Sequence, residues 1–230
     1  MSAFPNFIII GVEQCGAKVL GRNLSQHPEI TMGQEHFTGS FNGEVRIDSI
    51  ESKEAMSLIA KEAPDMNLIV CVRNPVLRAY SKLQSSIREN PKNKSKTFNT
   101  LVKSGTKIFE RGRYFNMLSE NVLPFFKKVN IHVSVQEWMR KDTVGELNKI
   151  YNFLGLDGIE LEVSHLRASN LESDNDGSYI EWKNKPSSIF KRYHRKAVAR
   201  EYWADNKMFY RFFGQAIPEW DEKVFPMKKG

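Results

Sequence analysis

The sequence predicts an α/β fold, built as a single domain around a mostly parallel sheet that helices cover on both faces. Three apolar runs have the character of buried strands, and each leads into a segment with helical periodicity. No linker rich in proline, glycine or serine divides the chain into two periodic halves. Strands that alternate with helices are typical of parallel sheets, so we expect one domain over residues 1–230.

The first unit consists of a strand, a glycine turn and a helix. Phe7–Val12 is a continuous, isoleucine-rich run, which is typical of a strand buried on both faces. Glu13–Gly16 forms the turn. A helical pattern then runs from Ala17 to about Leu24 and stops before Pro28, because proline cannot continue a helix.

Two further units repeat this order. Asn67–Val72 leads through Arg73-Asn74-Pro75 into a helix, and Pro75 suits the first helical turn. Ile131–Val135 precedes an apolar helical stripe that Gly155 ends. Other amphipathic patterns predict helices over residues 55–63, 114–126 and 195–213. The apolar stripe of the last pattern predicts core packing and contains Ala199, Tyr202, Trp203, Phe209, Phe212 and Phe213.

The charge of the chain favours a polyanionic partner or ligand. Lys and Arg total 34 against 27 Asp and Glu, which gives a net charge of +7. Nucleic acid, nucleotide phosphates and acidic glycans all fit this charge. Cys15 and Cys71 adjoin apolar runs, so we expect buried thiols and a reducing compartment. Phe7–Val12 is too short for a membrane span, and we therefore expect a cytoplasmic protein.

Two stretches carry candidate chemistry, and the first is the glycine turn. Backbone N–H groups at a strand-turn-helix junction converge on one point, where the positive end of the helix favours an anion. The stretch Gly11–Val19 comes close to a Walker loop, but Lys18 comes one place late and no Ser or Thr follows it. The sequence therefore disfavours a magnesium-dependent nucleoside triphosphatase. A phosphate cradle and a purely structural turn stay equally open.

The second stretch follows the second predicted strand. Arg73 offers a rigid fork of donors that suits phosphate, and Ser81, about two helical turns later, adds a neutral hydroxyl. Both side chains can reach a second phosphate, although a lone arginine at such a place is more often a surface charge. None of the five histidines has the spacing of a metal site, so we expect no metal.

At these two stretches the chain resembles the sulfotransferase superfamily, especially the branch of heparan sulfate sulfotransferases and their bacterial relatives. Family members open with a buried strand, a loop of the type Lys-x-Gly-Thr and a helix, and Phe7–Leu20 follows that outline. Arg73–Ser81 fits the family signature Arg-x-Pro-x-x-Arg-Ala-x-Ser at every specified place. The similarity continues through most of residues 112–156 and 202–220 and is weakest over residues 39–66.

The resemblance implies a P-loop-like fold and an enzyme that moves a sulfuryl group from 3′-phosphoadenosine 5′-phosphosulfate (PAPS) to a hydroxyl or amine without a metal. Arg73 and Ser81 would hold the 3′-phosphate. The residues that would cradle the 5′-phosphosulfate are Gln14, Cys15, Gly16, Ala17, Lys18 and Val19. A basic loop would close over the nucleotide, and its loosely placed candidates are Lys191, Arg192 and Arg195.

The chain departs from the family where charge and proton transfer are needed. Most relatives have lysine in place of Gln14 and threonine in place of Ala17, so Lys18 is the candidate to replace the missing cation. Many relatives also have Glu-x-His-Phe after the first helix, whereas this chain reads Gln34-Glu35-His36-Phe37. Glu35 and His36 are therefore both candidates for the base that accepts the proton of the acceptor.

Three functions stay open on the sequence alone. The leading hypothesis is a PAPS-dependent sulfotransferase. The second is a nucleotide- or glycan-binding protein on the same scaffold with weak or no catalysis, and the third is a nucleotide kinase with a divergent phosphate loop. The sequence does not identify the acceptor, although the charge favours an acidic acceptor such as a glycan, with a small molecule as the alternative. We expect no nucleic acid partner. A lumenal location is the alternative to the cytoplasm, should an N-terminal anchor have been removed.

Overall fold

The computed structural model describes residues 4–33, 41–90, 107–161 and 192–220, with only the backbone described over residues 192–198. These residues form two compact units. The first unit contains the described residues up to Val72 and from Leu118 to 161. The second contains the described residues of Arg73–Met117 and residues 192–220. Whether residues 1–230 act as one domain stays a prediction.

A five-stranded sheet dominates the first unit. Its strands are β1 Phe7–Gly11, β2 Ile30–Met32, β3 Phe41–Ile47, β4 Asn67–Val72 and β5 Ile131–Val135. They lie in the order β2-β3-β1-β4-β5, and all four pairings are parallel. The predicted α/β fold with a parallel sheet is therefore confirmed.

The described residues form eight α-helices. They are α1 Ala17–Leu24, α2 Lys53–Glu62, α3 Pro75–Glu89, α4 Lys107–Glu110, α5 Tyr114–Met117, α6 Gln136–Lys141, α7 Thr143–Leu154 and α8 Arg192–Phe213. Short 3₁₀ turns occupy Ser49–Glu51, Lys128–Asn130 and Pro218–Trp220. Within these ranges, no helix combines the length and the apolar character that a membrane span needs.

The central strands are buried on both faces, as their apolar runs predict. Every residue of β1 is buried, and so is β4 from Leu68 onward. The neighbouring strands β2 and β3 were not predicted, because β2 has only three residues and β3 carries the buried polar side chains Asn42 and Glu44. Glu44 forms an ion pair with Arg46 at 2.8 Å, which offsets part of the cost of burying the carboxylate.

The predicted helix over residues 114–126 is wrong in part. An α-helical turn ends at Met117, and Leu118–Val122 continues as a π-helix in which the amide of Leu123 donates to the carbonyl of Leu118 at 2.8 Å. Amphipathic spacing does not distinguish these two windings over so few residues, because both keep an apolar face.

The second unit has an aromatic core. Tyr202 stacks on Phe109 with ring centroids 4.4 Å apart, and its hydroxyl donates to the Phe109 carbonyl at 2.9 Å. The predicted core stripe of α8 is confirmed at Tyr202 and Phe209 but is wrong at Trp203, which is 60% exposed. Trp203 directly follows the fully buried Tyr202, so its side chain leaves the helix about 100° away from that of Tyr202. Its ring instead contacts the ammonium of Lys207 at 3.6 Å.

Candidate active site

The turn after β1 begins at a glycine that no other residue can replace without strain. Gly11 has a φ of 155°, and a Cβ atom there would lie 2.8 Å from the carbonyl oxygen of Cys71 on the paired strand β4. The backbone of β1 can therefore leave the sheet at this point only without a side chain. This glycine fixes where the turn starts.

Two left-handed residues shape the remainder of the turn. Gln14 has a φ of 70° and Gly16 a φ of 89°, and Gly16 is the N-cap of α1 without any side-chain cap. The first intrahelical hydrogen bond runs from the amide of Leu20 to the carbonyl of Gly16 at 2.9 Å. The amides of Ala17, Lys18 and Val19 therefore precede the hydrogen-bonded part of the helix, and α1 has no acidic residue in its first turn. Such a helix end suits an anion.

The side chains of the turn divide into two groups. Cys15, Ala17 and Val19 are buried, so these residues offer only their backbone amides to a ligand. Gln14 is half-buried and Lys18 is exposed, so both residues reach the surface of the turn. Lys18 is thus a surface lysine in the first turn of α1, and its role as a replacement cation stays a prediction.

A further polar side chain lies against this turn and was missed by the sequence reasoning. Gln136, the first residue of α6, directly follows β5 and is buried. Its Nε2 atom lies 3.1 Å from the position of a Cβ on Gly16. The two residues are 120 positions apart, so no local motif joins them, and only the parallel register of β1, β4 and β5 brings their strand ends to one edge.

In the second unit, Arg73 is the residue that follows β4, and its backbone is held from both sides by one phenol. The Tyr114 hydroxyl donates to the Arg73 carbonyl at 2.8 Å and accepts from the Arg73 amide at 3.4 Å. Both residues are buried. The sequence predicts Arg73 but not the tyrosine that fixes it, because their separation of 41 residues gives no periodic pattern.

The start of α3 is built by Asn74 and Pro75. The Asn74 side chain accepts from the amides of Val76 and Leu77 at 3.0 and 3.2 Å, and Pro75 takes the first helical position as predicted. Ser81 lies further along α3 and is half-buried, so its hydroxyl stays within reach of a ligand.

The second arginine of the signature, Arg78, has a packing role. It is fully buried and donates from Nη2 to the carbonyl of Ile108. Burial raises the pKa of the neighbouring Tyr202 hydroxyl, and the positive charge of Arg78 opposes that effect. Arg78 thus belongs to the interior of the second unit, whereas Arg73 follows the end of β4 and Ser81 lies on α3. The binding roles of Arg73 and Ser81 stay predictions.

Three predicted site residues lie outside the described residues, namely Glu35, His36 and Lys191. Arg192 and Arg195 lie in the first turns of α8, where only the backbone is described. Across the four described ranges, no group of three or more His, Cys, Asp or Glu side chains forms a metal cluster. The base, the basic loop and the absence of a metal all stay predictions.

Together, the parallel sheet, the glycine turn after its central strand and the helix that starts there define a P-loop-like α/β protein. The chain belongs to the family of the sulfotransferase domain, which matches residues 4–212.

Curated relatives are similar along most of the chain. Mouse heparan sulfate glucosamine 3-O-sulfotransferase 3B1 is 27% identical over 242 aligned residues, which cover 92% of this chain and 62% of the relative. Mouse heparan sulfate glucosamine 3-O-sulfotransferase 6 is 28% identical over 183 residues, which cover 66% of this chain and 53% of the relative. The chain thus spans between about half and three fifths of the length of these relatives.

Two solved structures share the fold. A sulfotransferase from Alicyclobacillus acidocaldarius has a TM-score of 0.73 at 18% identity, with 95% of this chain and 99% of that chain covered. Mouse sulfotransferase SULT7A1, solved in complex with PAP, has a TM-score of 0.59 at 17% identity, with 94% of this chain and 91% of that chain covered. At these identities the likeness is one of fold.

Proposed function

We propose that this chain is a sulfotransferase that takes a sulfuryl group from PAPS and transfers it to a hydroxyl or amine of an acidic acceptor, with a glycan as the first class to test. The observation that carries the proposal is the turn of Gln14–Gly16, which presents three backbone amides at the start of α1. Membership of the sulfotransferase domain family supports the same reaction.

Transfer breaks the bond between sulfur and the bridging oxygen of the 5′-phosphate and forms a bond between sulfur and the acceptor oxygen or nitrogen. Negative charge then collects on the leaving 5′-phosphate. The amides of Ala17, Lys18 and Val19 donate hydrogen bonds to that phosphate, and they are preorganised because the left-handed Gly16 fixes their direction. Gln14 adds a neutral donor, and the ammonium of Lys18 supplies positive charge at the surface of the turn.

The 3′-phosphate of the donor is the task of Arg73 and Ser81. Tyr114 holds the Arg73 backbone, so the guanidinium starts from a fixed point and loses less entropy when it binds. Ser81 donates one hydroxyl hydrogen bond. The acceptor proton passes to Glu35 or His36, and we keep both as candidates for this base.

A second candidate function is a binding protein that holds the nucleotide or a glycan with weak or no turnover. Gln14 favours it, because a neutral amide stabilises a leaving phosphate less than the lysine of most relatives. Substituting Gln14→Lys separates the two candidates. If the natural chain is an enzyme that relies on Lys18, its turnover is substantial and Gln14→Lys leaves it unchanged. If the natural turn is impaired, turnover is near zero in the natural chain and rises by about 10²–10³ in Gln14→Lys.

The first experiment is a calorimetric titration with 3′-phosphoadenosine 5′-phosphate (PAP) against ATP with magnesium. Selective binding of PAP supports the proposal, and preferential magnesium-dependent binding of ATP contradicts it. Arg73→Ala is expected to weaken PAP binding by about 10- to 100-fold through the lost charged hydrogen bonds. Arg88→Ala is the control for the loss of charge, because it removes one exposed positive charge from α3, the helix that follows Arg73. Equal affinity of both variants would refute the role of Arg73.

The acceptor is tested with PAPS and heparan sulfate, because the curated relatives carry that glycan in their names. Sulfate transfer measured by mass spectrometry is the readout, with an uncharged polysaccharide as the comparison. We also propose a cytoplasmic location, supported by two buried cysteines that are not joined in a disulfide, which suits a reducing compartment.

A further inference from the structure

Gln136 stands at the same edge of the sheet as the phosphate turn. It is the residue after β5, and β5, β4 and β1 are consecutive parallel strands. Residues that follow the carboxyl ends of such strands meet at one edge, where α/β proteins bind their ligands. Gln136 therefore belongs by position to the edge that carries Gln14–Gly16.

The carboxamide of Gln136 touches the turn itself. A Cβ on Gly16 would lie 3.1 Å from Nε2 and 3.7 Å from both Cδ and Cγ of Gln136. A side chain at position 16 would therefore press on the amide. Glycine is needed here for two reasons, its left-handed backbone and the approach of this amide.

No structural task within the described residues accounts for this amide. Gln136 is 6% exposed, and its Oε1 atom has no hydrogen-bond partner there. A buried amide atom without a partner destabilises the fold, so such a group is kept for a reason other than local stability. The terminal torsion of glutamine is broad, and no hydrogen bond of Oε1 locks it, so Nε2 can be turned toward a ligand.

We propose that Gln136 binds the donor directly, with Nε2 donating a hydrogen bond to an oxygen of the 5′-phosphate or phosphosulfate group held by the turn. This inference rests on the proposed function. It assigns to a residue 120 positions after Gly16 a share of the anion binding that the neutral Gln14 supplies only in part. A carboxamide suits this place because it offers two N–H donors without bringing a negative charge beside the anion.

Two nucleotides and three variants test the proposal by calorimetry. PAP carries the 5′-phosphate, and adenosine 3′-monophosphate lacks it. Gln136→Leu is expected to weaken PAP about 10- to 100-fold and to leave adenosine 3′-monophosphate unchanged. Gln136→Glu keeps the size of the side chain but places a carboxylate beside the anion, so it is expected to weaken PAP further. Gln84→Leu is the control, since it makes the same change at a half-buried glutamine on α3.

The outcomes separate this inference from the function on which it rests. An unmodified protein that fails to bind PAP overturns the proposed function. Normal PAP binding by the unmodified protein together with unchanged binding by Gln136→Leu overturns only the role of Gln136. Equal weakening of both nucleotides also overturns it, because that result shows a general packing role. Should Gln136→Leu fail to fold by circular dichroism, Gln136→Glu decides, because it is nearly isosteric with the natural residue.

Discussion

The clearest quantitative prediction concerns a series of three glycines that separates backbone strain from steric clash. Gly11 has both a φ of 155° and a carbonyl 2.8 Å from its Cβ position, while Gly155 has a φ of 78° and no atom of the described residues within 4 Å of its Cβ position. Gly33 likewise has no neighbour within 4 Å of its Cβ position among the residues that the structure describes, and no positive φ restricts it. Alanine therefore adds backbone strain and a steric clash at Gly11, strain alone at Gly155, and neither at Gly33.

The expected free-energy costs follow from these distances. A left-handed conformation costs an alanine about 1–2 kcal/mol, and forcing a group into a packed site costs about 1–3 kcal/mol more. Gly11→Ala should thus lose about 3 kcal/mol of unfolding free energy, because the atom it meets belongs to the backbone of β4 and cannot rotate away. Gly155→Ala should lose about 1 kcal/mol and Gly33→Ala less than about 0.5 kcal/mol.

Thermal unfolding followed by circular dichroism measures the series. For a chain of this length, about 1 kcal/mol corresponds to about 2–4 °C, so Gly11→Ala should melt about 6–12 °C below the unmodified protein. If Gly11→Ala melts at the same temperature as Gly155→Ala, the clash with the β4 carbonyl adds no cost. One that melts with Gly33→Ala would refute the described register of β1 and β4 at this point.

Three further predictions concern single side chains. Burial lowers the pKa of His132 to about 4, and the charge of Lys149 adds to the effect. The free energy of unfolding should therefore be highest above pH 6.5 and fall by up to about 3 kcal/mol toward pH 4. A His132→Phe variant should lack this loss at acid pH in denaturant titrations. Tyr114→Phe leaves the Arg73 carbonyl without its donor and should cost about 1–3 kcal/mol in the same assay, whereas an unchanged midpoint would contradict the 2.8 Å bond. Asp205→Ala removes the acceptor of two amides at the start of α5 and should cost about 0.5–2 kcal/mol, with Asp205→Asn costing less because it keeps an acceptor oxygen.

Local sequence patterns predicted the three strand-helix units well because each of their signals is local. The helix α1 begins at Ala17 and ends at Leu24 as expected, since the glycine before it and the polar residues after it act within one turn. The strand β3 escaped prediction because its middle residues, Asn42, Gly43 and Glu44, break the apolar run. Glycine is required at position 43, since a Cβ there would lie 2.2 Å from the ring of Phe7.

The candidate site was predictable only as far as motifs extend along the chain. The glycine turn, Arg73 and Ser81 each belong to a short pattern that can be read in order. Tyr114 reaches Arg73, and Gln136 reaches Gly16, only through the fold, and neither residue type has a periodicity that would single it out. Finding them requires the strand register, because a shift of β5 by one residue would point a different side chain at Gly16.

Because the two thiols are buried, their alkylation reports when the structure around them opens. Cys15 lies in the turn after β1, and Cys71 lies near the carboxyl end of β4, where it pairs with Gly11. The two residues are 3% and 2% exposed. Burial raises the pKa of Cys71, so its thiolate is scarce as well as shielded. The alkylation rate of Cys15 then reports the local opening of the turn, and the alkylation rate of Cys71 reports the unfolding of the sheet. A ligand that occupies the turn should slow the alkylation of Cys15 far more than that of Cys71, and the measurement needs no added label.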